Sequence, residues 1–111
     1  MATDAQCAAL YGATTNLAYT VNQLARTPRP PFNVPDQVTL SKRSTDIADA
    51  ARDFRGRDPG SVNDDPLVRA GLSVKSAQVM VDTVSLELNN HYTNAEIYSA
   101  IDTAVADVRA T

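Results

Sequence analysis

The sequence predicts an all-α protein, an antiparallel four-helix bundle, on three observations. Apolar residues recur at intervals of three and four along four separate segments, the period of one helix face. Prolines, glycines and an Asn-Asn pair punctuate the chain between those segments. No segment shows the sustained apolar/polar alternation of a half-buried strand. At 111 residues, 43% of them hydrophobic, residues 1–111 are read as one helical domain. The helices are expected near 4–25, 36–55, 65–89 and 94–110.

In the first helix Cys7, Leu10, Thr14, Leu17, Val21 and Leu24 form a continuous stripe. Thr3 or Asp4 is its N-cap, and the Thr27-Pro28 step ends it. Between Ala5 and Ala25 there is no charged side chain. A helix with one wet face normally carries charge there, so this one reads as covered on more than one side. Ala8 and Gly12, one turn apart, make a flat spot suited to close approach by another backbone.

The link that follows is stiffened by Pro28, Pro30 and Pro31. Asp36 is the expected N-cap of the second helix, whose stripe is Leu40, Ser44, Ile47, Ala51 and Phe54, with Gly56 at its close. Asp58-Pro59-Gly60 is a turn. Asp64 or Asp65 before Pro66 resembles an N-cap with proline in the first helical position.

The third helix buries Leu67, Ala70, Val74, Ala77, Val81, Val84 and Leu88, with Gly71 as a weak point where it bends or before which it has not begun. Leu72, Val79 and Leu86, spaced by seven, fall on its opposite side, a second apolar stripe left over once one bundle is closed. Asn89-Asn90 ends it. Thr93 with Glu96 forms a capping box for the last helix, which presents Ile97, Ile101, Ala104 and Val108.

Charge is unevenly spread. Residues 26–57 carry Arg26, Arg29, Lys42, Arg43, Arg52, Arg55 and Arg57 against Asp36, Asp46, Asp49 and Asp53; the remainder of the chain is acidic, giving a net charge of −3. Opposition between the basic segment and the acidic C-terminal half is expected to help set register between copies. Arg26, Arg29, Arg55 and Arg57 are the candidate anion contacts. Nucleic acid is disfavoured by the overall acidity, and residues 26–57 are where it would bind.

Chemistry-bearing residues are few. His91 is the sole histidine and falls in a turn beside Asn89, Asn90 and Tyr92, with no adjacent carboxylate. Cys7 is the sole cysteine and reads as a small buried apolar residue. No zinc-type cluster, di-iron motif or calcium-loop spacing is present, and Asp46, Asp49 and Asp53 with Arg43 and Arg52 read as ordinary helix-surface charge pairs. No catalytic residue, metal or cofactor is therefore expected. No apolar run reaches the ~20 residues that span a bilayer, and the N-terminus lacks a leader pattern, so a cytoplasmic or virion setting without membrane is expected.

The function these features favour is a non-enzymatic, self-associating structural or assembly subunit, a homo-oligomer of the kind found in a virion, filament or shell. Leu72, Val79 and Leu86, with Ala8 and Gly12, are its candidate interface. The alternative is a small adaptor, regulator or inhibitor that meets a second protein through a helical face.

Overall fold

Four helices form where the apolar periodicity places them: α1 (Asp4–Arg26), α2 (Asp36–Arg55), α3 (Asp64–Ser85) and α4 (Asn94–Arg109). The computed structural model describes residues 1–27, 32, 35–86 and 92–111. The proline link 28–31, including Arg29, and the segment 87–91, including Leu88, Asn89-Asn90 and His91, lie outside the described residues.

Local signals explain most helix ends. Thr3 caps α1 and Thr93 caps α4, each with a full capping box: Gln6 and Glu96 reach back to the cap N–H groups at 2.8 and 3.0 Å. The Thr93 backbone N–H, and then its hydroxyl, hold the Glu96 carboxyl below the usual range.

Other starts differ from expectation. Pro35 stands in the N-cap position of α2 and Asp36 is its first residue. The Asp36 carboxylate instead accepts from Tyr98 and Asn94 on α4, a tertiary role that competes with capping. Asn63 is the N-cap of α3, so Asp64 and Asp65 occupy its first turn and Pro66 comes third. All three sit among the N–H groups that have no intrahelical partner, so proline is still tolerated there. Gly71 does not delay α3, which runs unbroken through it from Asp64 to a C-cap at Leu86. The described helix ends at Ser85, and the expected end near 89 lies outside the described residues. Gly56 closes α2 with φ −74°, an ordinary right-handed conformation.

Side-chain bonds define the topology. Chain direction alternates from helix to helix, but α1 packs on α2 and α3, and α4 packs on α3 and α2. The α2–α3 link, containing a 3-10 turn at Pro59–Ser61, therefore crosses the bundle diagonal. It brings the start of α3 beside the start of α1, where the Ala2 N–H donates to the Val62 carbonyl at 3.0 Å. Like-directed neighbours result: α1 beside α3, and α2 beside α4.

The core is the set of inward stripes. Leu17, Val21, Leu40, Ile47, Val74, Val81, Ile97, Ile101 and Val108 are essentially sealed from water. Val62 and Ala2 close one end, and Phe32 closes the other against the Tyr98 ring at 5.7 Å. Two polar residues inside are satisfied by backbone carbonyls. The Thr14 hydroxyl donates to Leu10 on its own helix, and the Ser44 hydroxyl donates to Ala18 across the α1/α2 seam, both at 2.7 Å.

Candidate interaction surface

The inward stripe of α3 consumes Leu67, Ala70, Val74, Ala77, Val81 and Val84. At about 100° per residue, the side facing directly away from that stripe carries Val68, Leu72, Val79 and Leu86. All four are in water, at 59%, 65%, 49% and 66% exposure respectively. They form a ridge of about 27 Å at 1.5 Å rise per residue. The leftover stripe read from the sequence is thus exposed among the described residues. Val68 was missed by the interval of seven; its place one turn before Leu72 is the signal that finds it.

The flanks of the ridge differ. Towards α1, a shallow trough is lined by Ala13, Asn16, Gly71, Val74, Lys75, Gln78 and Val79. Gln78 ties the two helices together. Its amide donates to Thr20 Oγ at 3.1 Å and to Asp82 at 2.8 Å, and its carbonyl accepts from Asn16 at 3.3 Å. Lys75 and Asp82 lie on this flank, both exposed. Towards α4, a wider groove runs between Leu72, Ser73, Ser76 and Met80 on one wall and Ala95, Ser99 and Thr103 on the other.

The uncharged helix contributes its own outer face. Helix α1 has two helical neighbours, and Ala5, Ala8, Gly12, Thr15, Tyr19 and Gln23 remain exposed on its outer side. A Cβ added at Gly12 would meet nothing within 4 Å. The flat spot at Ala8 and Gly12 therefore lies open among the described residues. Within one copy, α1 is covered on two sides and bare on the third.

The remaining sequence candidates are scattered. Arg26 ends α1, whereas Arg55 stacks over the Tyr11 ring at 5.3 Å, about 22 Å lower along the same helix. Arg57 is turned to the C-terminal end of α4, donating to the Arg109 carbonyl at 2.9 Å and to Thr111 Oγ at 3.2 Å. Arg55 and Arg57 thus line one recess while Arg26 stands apart at the far end of α1, and Arg29 lies outside the described residues.

Much of the charge on α2 is met inside the chain. Arg43 bonds Asp102 of α4 through two nitrogens, both at 3.1 Å, and stacks 4.5 Å above the Tyr98 ring. Arg109 reaches back to Asp53 at 3.0 Å, and Asp49 pairs with Arg52 as its spacing suggests. Arg43 takes Asp102 in preference to Asp46 because α4 offers a bidentate partner across the seam.

Cys7 is half-buried at the edge of a small recess with Tyr11, Phe54 and Arg57. Among the described residues, no group of three or more His, Cys, Asp or Glu is placed to hold a metal ion. No described helix is long and apolar enough to cross a membrane. Comparison with protein-family models, with curated proteins and with solved structures finds no match to this chain.

Proposed function

We propose that this protein is a non-enzymatic, self-associating helical subunit, a structural or assembly component of the kind that builds a virion, filament or shell. The observation that carries this reading is the α3 ridge: Val68, Leu72, Val79 and Leu86 stay in water on a helix whose opposite face is sealed. Singly exposed apolar residues are ordinary, but a line of them along one helix marks a contact surface. The uncharged outer face of α1 adds a second smooth surface beside it.

Magnitude sets the conditions of the test. Covering what is exposed of one such side chain gains about 1–2 kcal/mol. Association costs at least ~4 kcal/mol in lost freedom of motion. The ridge by itself therefore supports a concentration-dependent pairing, to be sought from about micromolar to millimolar protein.

Sedimentation across that range tests the proposal. The wild type should gain mass with concentration. The double variant Val79→Asp/Leu86→Asp should remain monomeric while keeping its helical circular dichroism, because both positions face away from the core. A wild type that stays monomeric to millimolar concentration would sink the reading.

A second reading, an adaptor that binds another protein, draws on the groove between α3 and α4. Leu72 and Met80 line one wall of it, with hydroxyls from Ser73, Ser76, Ser99 and Thr103 around them. That shape suits a partner helix. A monomeric wild type would move this reading to the front.

A further inference from the structure

We infer that two copies pair through α3 in antiparallel fashion, about a two-fold axis at Val79, with Lys75 of each copy set against Asp82 of the other. This inference rests on the self-association reading and specifies its geometry.

Three residues of the ridge are self-complementary about Val79, with Val68 standing outside the symmetric set. Leu72 and Leu86 stand at equal distances on either side of Val79. A two-fold axis perpendicular to α3 at Val79 lays Leu72 of one copy against Leu86 of the other, and Val79 against its own mate. The ridge points straight away from the core, with α1 and α4 set back on its two flanks, so a second α3 can reach it.

The charges select this orientation. Lys75 lines the trough shared with α1, and Asp82 accepts from the same Gln78 amide that reaches Thr20 of α1. Both therefore lie on the α1 flank of the ridge. An axis perpendicular to the helix keeps the α1 flanks of both copies on the same side. Lys75 is four residues before Val79 and Asp82 is three after it. Reversal brings them to within one residue of the same level, about 1.5 Å along the axis. The pair occurs twice by symmetry.

The parallel alternative lacks this match. There the two-fold axis runs along the helices and turns each α1 flank towards the other copy's α4 flank. Lys75 then meets Ser76, and Asp82 meets Thr83. Among the described residues Lys75 has no ion-pair or hydrogen-bond partner in its own chain, so the antiparallel arrangement gives it a counter-charge without breaking another bond.

Charge exchange tests the inference. Lys75→Asp sets acid against acid, and Asp82→Lys sets base against base. Each single variant should weaken dimerisation about tenfold, since two exposed pairs are lost and replaced by repulsion. The double variant Lys75→Asp/Asp82→Lys should restore wild-type affinity. An equimolar mixture of the two single variants should form a heterodimer at wild-type affinity. Through this contact alone, mass should reach twice the 11.9 kDa protomer and no more, because an isologous contact closes.

The outcomes separate the two claims. A wild type that assembles and is broken by Val79→Asp/Leu86→Asp, yet is indifferent to all the charge variants, overturns the antiparallel register and leaves self-association standing. Growth beyond a dimer through this ridge overturns the two-fold axis. A monomeric wild type overturns both. All these positions are exposed, and retained helical circular dichroism in each variant excludes misfolding as the cause.

Discussion

The bundle has two sides that handle polarity in opposite ways. On the α2/α4 side, charge is abundant and much of it is tied up within the chain: Arg43 with Asp102, Arg109 with Asp53, Arg57 with the end of α4. On the α1/α3 side the seam is held by the neutral amide of Gln78, and the outward surface is apolar or uncharged apart from Lys75, Asp82 and a few neighbours. A surface whose charges are already paired gains little from a partner. A surface with a continuous ridge of bare apolar groups gains more. In the assembly proposed above, α1/α3 is the side that meets another copy and α2/α4 is the side left to water.

The largest expected effect separates ridge from core within α3 itself. Val81 is fully buried, and Val79, two residues away, is half exposed. Val81→Asp buries an unpaired carboxylate and should cost about 3–5 kcal/mol, enough to unfold a domain of this size. Val79→Asp should change folding stability by less than about 0.5 kcal/mol. Thermal melts followed by circular dichroism compare the two, and a Val79→Asp protein that melts like Val81→Asp would place the ridge inside the fold.

A smaller effect probes the α2/α4 side through pH. Burial, and then the Asp36 carboxylate that accepts its O–H at 2.9 Å, push the Tyr98 hydroxyl well above its ordinary value of 10.0. A raised folded-state value favours the folded protein while the phenol is neutral. That stability is fully present below pH ~10, where the unfolded phenol begins to ionise, and declines as pH rises further towards the folded value. Tyr98→Phe should lower stability at pH 7 by about 1 kcal/mol for the lost hydrogen bond. It should also flatten the alkaline decline, as read by denaturant titrations at pH 7 and above 10. An unchanged alkaline slope would show that this contact does not govern the α2/α4 side.

The smallest effect concerns the bare face of α1. A methyl at Gly12 meets nothing within 4 Å, and a helical glycine costs backbone entropy. Gly12→Ala should therefore raise folding stability by about 0.5–1 kcal/mol. If it also weakens assembly in sedimentation, the outer face of α1 belongs to the contact; if assembly is unchanged, the contact is confined to α3.

The periodic parts of the molecule were the legible ones. Apart from half-buried Cys7, every inward stripe among the described residues is buried as its spacing implies, because burial acts on side chains three and four apart on one rod. The uncovered ridge was legible for the same reason. Features joining distant residues were not. Nothing local tells Arg43 to take Asp102, or Asp36 to serve Tyr98 in place of a helix end. The diagonal course of the α2–α3 link was also hidden, since hydropathy records which face of a helix is covered and not by which neighbour. Gly71 misled because its entropic cost is real but small against the packing of the residues around it.

The diagonal link has an electrical consequence. It sets α1 beside α3, and α2 beside α4, with their peptide dipoles pointing the same way, an arrangement in which neighbouring rods repel at both ends. The acids at the N-terminal ends, Asp4, Asp64 and Asp65 on one pair and Asp36 and Glu96 on the other, offset the partial positive charge gathered there. Most of the long-range polar cross-links fall in these two seams: the Gln78 bonds in one, and Arg43–Asp102, Tyr98–Asp36 and Arg109–Asp53 in the other. They hold together the rods whose fields would otherwise push them apart.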